Sequence, residues 1–131
     1  MTEGLADTSV WISAEVGRRL DRARLPDVLR VSVITLAELQ AGVLAASDPV
    51  SVSTRLRTLQ LAQESEPLPV DAAVGQEWAL LRVEVARAGK RLNVNDLWIA
   101  ATARANRLPV VTQDDDFEVL ATRGLIDLVR V

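Results

Sequence analysis

Cysteine, histidine and tyrosine are all missing from this chain, and Lys90 is its only lysine. Without thiols there is no disulfide and no cysteine nucleophile. Without imidazole there is no triad of the Ser-His-Asp or Cys-His type, and structural zinc loses both of its usual ligands. Acid–base work therefore falls to carboxylates or to metal-bound water, and oxygen ligands select hard cations such as Mg²⁺ or Mn²⁺. Long apolar runs are missing too, since none approaches the ~18 residues that suggest a membrane span. No cationic, apolar leader opens the chain, because Met1-Thr2-Glu3-Gly4 passes at once into a strand-like segment. A cytoplasmic protein with no membrane contact is expected.

What is present is a chain of 131 residues, 49% of them hydrophobic and mostly Val, Leu, Ala and Ile. That length suits a single domain over 1–131, and that composition suits helices packed on a buried sheet. The net charge of −3 argues at first against nucleic acid, which wants a basic surface. Location matters more than the sum. If Asp7, Glu38, Asp96, Asp114 and Asp116 share one pocket, setting those five charges aside leaves the remainder at +2, with fourteen arginines available for phosphates.

Along the chain, Glu3 to Thr8 reads as a first strand ending in the polar triplet Asp7-Thr8-Ser9, with Val10-Trp11-Ile12 opening a helix beyond it. Arg18, Arg19, Arg22 and Arg24 follow. A charge run is ordinarily a solvated face, and the sharper reading of this one is phosphate contact. Leu29 to Ile34 reads as a second strand, and Thr35-Leu36-Ala37-Glu38 then matches a capping box in which Glu38 reaches back to the Thr35 N–H. A helix follows Ser47-Asp48-Pro49 with Val52, Leu56 and Leu59 on one face, and Pro67 to Val70 reads as an edge strand. Asp71 caps a helix whose Val74, Trp78, Leu81 and Val85 form a core-facing stripe. Gly89, Lys90 and Arg91 close that helix. The next helix carries Asp96 at its start, where a carboxylate serves as a cap and terminal charge, and ends near Asn106. Leu108 to Thr112 is an apolar strand, Phe117 to Ala121 a short helix, and Ile126 to Val129 a last strand. Strands alternating with helices predict an α/β domain, a mainly parallel sheet of about five strands covered on both faces in three α/β/α layers.

Each acidic residue alone has a plain role: Asp7 in a turn, Glu38 and Asp96 at helix starts, Asp114 to Asp116 in a solvated loop. Together they fall at strand-to-helix junctions and helix starts that the topology brings toward one edge, and in parallel sheets functional groups gather outside the carboxyl ends of the strands. Clustered carboxylates raise one another's pKa and destabilise the fold unless a cation offsets them. A divalent cation held there polarises a phosphodiester and activates water. Thr8, Ser9 and Thr112 would supply supporting hydroxyls.

Four segments carry this pattern in order: Asp7-Thr8-Ser9-Val10-Trp11-Ile12, Thr35-Leu36-Ala37-Glu38-Leu39, Asn95-Asp96-Leu97-Trp98-Ile99-Ala100-Ala101-Thr102-Ala103, and Val110-Val111-Thr112-Gln113-Asp114-Asp115-Asp116-Phe117. Together they resemble the signature segments of PIN-domain nucleases, most closely VapC-type toxins of bacterial toxin–antitoxin systems. The resemblance covers the whole chain. It implies an endoribonuclease dependent on Mg²⁺ or Mn²⁺, with one or two ions per site, that cuts RNA to leave a 5′-phosphate and a 3′-hydroxyl. By position, Asp7, Glu38, Asp96 and Asp114 would form the catalytic set. Asp7, Asp96, Asp114 and Asp116 would face the metal, while Asp115 has no counterpart and reads as solvated. Such toxins form homodimers and are silenced by a VapB antitoxin lying across the groove, which Val10, Trp11 and Ile12 would help to line unless they are spent on the core.

Two other classes remain in view. A phosphoryl-accepting signalling domain shares the parallel α/β plan but wants a lysine late in the sheet, and Lys90 precedes the Asp96 helix instead. A catalytically silent PIN-like module that only binds RNA or protein would have no need of every carboxylate retained here.

Overall fold

In the computed structural model, which describes residues 1–131, the chain forms four short parallel strands and six helices. The strands are β1 (Glu3–Ala6), β2 (Val28–Arg30), β3 (Val110–Thr112) and β4 (Leu128–Arg130). The helices are α1 (Thr8–Trp11), α2 (Val33–Ala45), α3 (Pro49–Gln63), α4 (Ala72–Arg87), α5 (Val94–Ala105) and α6 (Glu118–Ala121). The sheet order is β2-β1-β3-β4 with every pair parallel. The expected fifth strand, Pro67 to Val70, is reduced to one parallel bridge between Ser32 and Leu68. Leu68 donates to Val31 O and accepts from Val33 N–H. Pro67 and Pro69, which have no N–H to give, confine the pairing to the residue between them.

Side chains alternate across the sheet. Leu5 and Val110 belong to the core beneath α4, α5 and α6, whereas Ala6 and Val111 pack with Val10 of α1 on the other side. The three layers expected are present, with the second face covered by α1 and the irregular segment that holds Leu20 and Leu25. The α2–α3 pair makes a core of its own around Val31, Leu39, Leu59 and Ala62. On α3 the buried positions are Leu59 and Ala62, so Leu56, 39% exposed, turns outward from the stripe predicted for it.

α5 is buried almost all round, at Leu97, Ile99, Ala100, Ala101, Thr102 and Ala103. Its alanines let neighbouring elements approach closely, as suits a helix enclosed by others. α4 is tied to it by Trp78 stacked on Trp98, ring centroids 4.8 Å apart, and by Arg104 Nε to Glu77 at 2.7 Å. The predicted stripe of α4 is the face it buries, with Val74 and Leu81 wholly enclosed and Trp78 packed against the same core. Asp71 accepts from Val74 N–H as the expected cap.

Two helix starts differ from the sequence reading. α2 begins at Val33, and Ser32 is its cap, accepting from Thr35 N–H at 3.1 Å. The Thr35–Glu38 capping box therefore does not form, because Thr35 already lies inside the first turn. At α5 the cap is Asn93, which accepts from Asn95 N–H, and this leaves the Asp96 carboxylate within the first turn rather than capping it. Both displacements release an acidic side chain for other contacts.

Candidate acidic site at the carboxyl edge of the sheet

The site starts from register. Leu5 pairs with Val110 and Ala6 with Val111, so Asp7, next along β1, arrives beside Thr112 at the end of β3. Asp7 occupies the cap position of α1 but makes no cap hydrogen bond. Its carboxylate instead accepts from Ser9 Oγ at 2.5 Å and from Thr112 Oγ1 at 2.8 Å. It is 3% exposed. Burial pushes its pKa up to about 6, against the two hydroxyl bonds that favour the charged form, with Asp114 adding a smaller upward push.

The same hydroxyls fasten the loop beyond β3. Thr112 Oγ1 accepts from Asp114 N–H and Ser9 Oγ from Gln113 N–H. Gln113 Nε2 reaches Arg19 O at 2.8 Å. From β4, Arg130 grips the outer side of the loop through Asp115 at 2.6 Å, Glu118 at 3.0 Å and Gln113 O at 3.3 Å. Asp115, read as merely solvated, is 86% exposed and serves as one arm of this clamp. Nothing in the sequence marked Arg130 or Gln113, because their partners come together only once β4 pairs with β3.

Glu38, freed from the capping box, accepts from Thr8 Oγ1 at 2.7 Å, and that hydroxyl lies 3.2 Å from Thr35 Oγ1. Asp96 is half-buried in the first turn of α5. Its pKa is raised to about 7, chiefly by burial, then by the charges of Asp116, Asp7, Glu38 and Asp114 in that order. No hydrogen bond opposes the shift. Asp96 therefore lies within electrostatic reach of Asp7, Glu38, Asp114 and Asp116, the other acidic residues predicted for the site.

The donor set is entirely oxygen, which fits a hard divalent cation. As the side chains stand, no three of the acidic groups converge closely enough to enclose an ion. The ring is an open one, with mutual repulsion that a cation would relieve.

A cleft of about 630 Å³ has Arg18, Arg19 and Arg22 in its lining, and Arg18 and Arg19 also line a neighbouring hollow with Asp114. Gly17, at φ +70°, turns the chain so that Arg18 N–H bonds Ser13 O at 2.9 Å. Arg18 then stands 3.5 Å from Asp114. Arg24, predicted with the other three, is exposed and does not line the cleft. Of the three apolar residues beyond Asp7, Val10 is buried and Trp11 donates its ring N–H to Ala6 O, so both belong to the core. Ile12 lines a second cleft of about 350 Å³ with Thr8, Glu38 and Arg55.

A small parallel α/β fold with carboxylates gathered where β1 and β3 end defines an acidic-site domain of the PIN class. The PIN domain family model matches residues 5–122. The chain is 48% identical over 128 residues to ribonuclease VapC5 of Mycobacterium tuberculosis, covering 98% of this chain and 95% of that protein. Ribonuclease VapC4 of the same organism is 48% identical over 117 residues, covering 88% and 89%. Among solved structures, the VapBC-5 member of the VapBC toxin–antitoxin family from M. tuberculosis superposes with a TM-score of 0.91 at 44% identity, covering both chains fully. VapBC2 of Rickettsia felis, bound to a DNA fragment from its promoter, shares the fold with a TM-score of 0.79 at 22% identity, covering 97% of each chain. The chain belongs to the PIN-domain family, in its branch of VapC ribonucleases.

Proposed function

We propose that this protein is the toxin of a type II toxin–antitoxin pair, an endoribonuclease that hydrolyses RNA with the help of Mg²⁺ or Mn²⁺, one or two ions per site, on a single PIN domain spanning residues 1–131. The observation that carries the reading is Asp96: a half-buried carboxylate, held by no hydrogen bond, whose pKa is raised first by burial and then by four other acidic groups, in a chain of the VapC branch. Asp7, Asp96, Asp114 and Asp116 would hold the cation. When bound, it would polarise the scissile phosphate and lower the pKa of a water.

The protein's own groups do the rest. Ser9 and Thr112 fix both oxygens of Asp7, so that carboxylate is oriented before any ligand arrives. Thr8 holds one oxygen of Glu38, and the other is left to orient a water or take its proton. Hydrolysis adds water across the P–O3′ bond, leaving a 5′-phosphate and a 3′-hydroxyl. Arg18, Arg19 and Arg22 would receive flanking phosphates, and Arg24 would act only at longer range.

The partner proposed is a small VapB-type antitoxin, supported by the VapBC-5 toxin–antitoxin relative, and the active form a homodimer. The cleft holding Ile12, Glu38 and Arg55 offers such an inhibitor a route to the carboxylates. No helix is long and apolar enough to cross a membrane, and a cytoplasmic location is proposed. The test is cleavage of RNA by antitoxin-free protein with Mg²⁺ and with EDTA. Cutting that requires the metal and leaves 5′-phosphate ends is expected; no metal-dependent cutting would put a binding-only module in its place.

A further inference from the structure

A second basic cleft lies at the free end of the α4–α5 hairpin. It measures about 370 Å³ and is edged by Arg82, Lys90 and Arg91 over a floor that includes Val85, Leu92 and Leu97. None of the three cations takes part in a salt bridge, and no acidic side chain lines the cleft. Leu97 on its floor is the residue after Asp96, so the cleft reaches the first turn of α5, the turn that carries that carboxylate.

The placement of these cations is built in. α4 ends with Gly89 at φ +65°, where Gly89 N–H bonds Ala86 O and Lys90 N–H bonds Val85 O. This paired closure turns the chain sharply and sets Lys90 back over the last turn. Arg82 is held separately, its guanidinium 5.4 Å from the centre of the Trp78 ring, which is itself stacked on Trp98. The helix dipole explains cations at Lys90 and Arg91, just past a helix end. It does not explain Arg82, more than a turn further back.

We propose that this cleft is a second RNA-backbone subsite, taking the phosphates on the Asp96 side of the cut while the Arg18 cleft takes those on the Asp114 side. The inference rests on the ribonuclease reading and extends it from a cutting site to a strand path. Cations on both flanks of an acidic centre, with Arg18 alone among the two clefts' lead cations paired, to Asp114, solve the problem a negatively charged protein has with a polyanion: attraction acts on neighbouring phosphates, leaving the carboxylates to the scissile one. The apolar floor gives a splayed base a dry surface to rest on. RNA is favoured over an acidic peptide because the apolar floor of Val85, Leu92 and Leu97 suits a base, and the acidic peptide is the rival that the test separates.

The test measures binding apart from cutting. A labelled single-stranded RNA of about a dozen nucleotides is titrated with Asp7→Asn protein in Mg²⁺, with and without the added triple change Arg82→Gln, Lys90→Gln and Arg91→Gln. Affinity is expected to fall at least about tenfold at low salt, with the slope of log affinity against log salt shallower by about 2 units, near 0.7 for each phosphate of a single strand that is no longer neutralised. Lys90→Gln alone should give roughly one third of that slope change, which guards against a folding defect in the triple variant. Neutralising Arg57 and Arg123, outside both clefts, should leave affinity and slope unchanged. RNA affinity and salt slope untouched by the triple change would overturn the subsite, as would loss of affinity for a protein partner with RNA binding intact. Metal-dependent cutting by the unaltered protein is scored separately, so that failure of the cleft and failure of the nuclease reading give different results.

Discussion

At the residue scale, the site is a balance between groups that steady a negative charge and groups that punish it. Asp7 has two hydroxyl donors and Asp96 has none. Replacing Thr112 by Val removes one donor to Asp7 and the acceptor for Asp114 N–H, so the Asp7 pKa should climb further and metal affinity and kcat/KM should each fall about 10- to 100-fold. Thr112→Ser should restore most of both, which steady-state kinetics and Mn²⁺ titration would check. Asp96→Asn should lower cleavage by at least about 100-fold, the scale for losing one group that stabilises a transition state. In EDTA at pH 7.5 the same variant should melt no lower than the parent, because it relieves like-charge repulsion. A marked drop in Tm would mean that Asp96 mainly stabilises its helix. The candidate carboxylates stood out in the sequence by their places at strand ends and helix starts and by the PIN-like segments that carry them, in a chain without imidazole or thiol. Gln113, Arg130 and the second role of Asp115 were not, since their meaning depends on hydrogen bonds between segments distant in sequence.

At the element scale, β1 depends on a residue with no side chain. A Cβ on Gly4 would lie 2.5 Å from Val111 Cγ2 and 3.0 Å from Pro26 Cγ, and Val111 is wholly buried. Gly4→Ala should therefore cost about 1–3 kcal/mol by overpacking, measured by denaturant unfolding. Because Val111 precedes Thr112, the same change should also weaken metal binding. The helices were largely readable from period and caps: the Asp71 cap and the Val74–Val85 stripe stand as predicted. The errors cluster at short elements. Ser32 outcompetes Thr35 for the start of α2 because an earlier cap adds a further turn, and the preference is invisible when both residues are good caps. The edge strand contracts to a bridge for want of proline N–H groups.

At the scale of the whole molecule, the metal-free protein should be most stable where its site is least charged. Asp96 near 7 and Asp7 near 6 both lie above their ordinary value of 3.8, so between those limits the folded state holds more protons than the unfolded one. Stability then falls as pH rises from about 4 to 7. Tm measured in EDTA should decline across that window, and Mg²⁺ should flatten the decline at its upper end; a Tm rising through the window would refute the clustering. The two turns that close with Gly17 and Gly89 have a different kind of consequence. Each delivers the cation after it, Arg18 or Lys90, through backbone bonds to Ser13 O and Val85 O that any residue but proline would leave intact. Position 90 can thus change identity without disturbing the carboxylate frame, and position 18 with the loss only of its ion pair to Asp114; if both receive phosphates as proposed, relatives built on one scaffold would diverge in the RNAs they choose while their chemistry stands still.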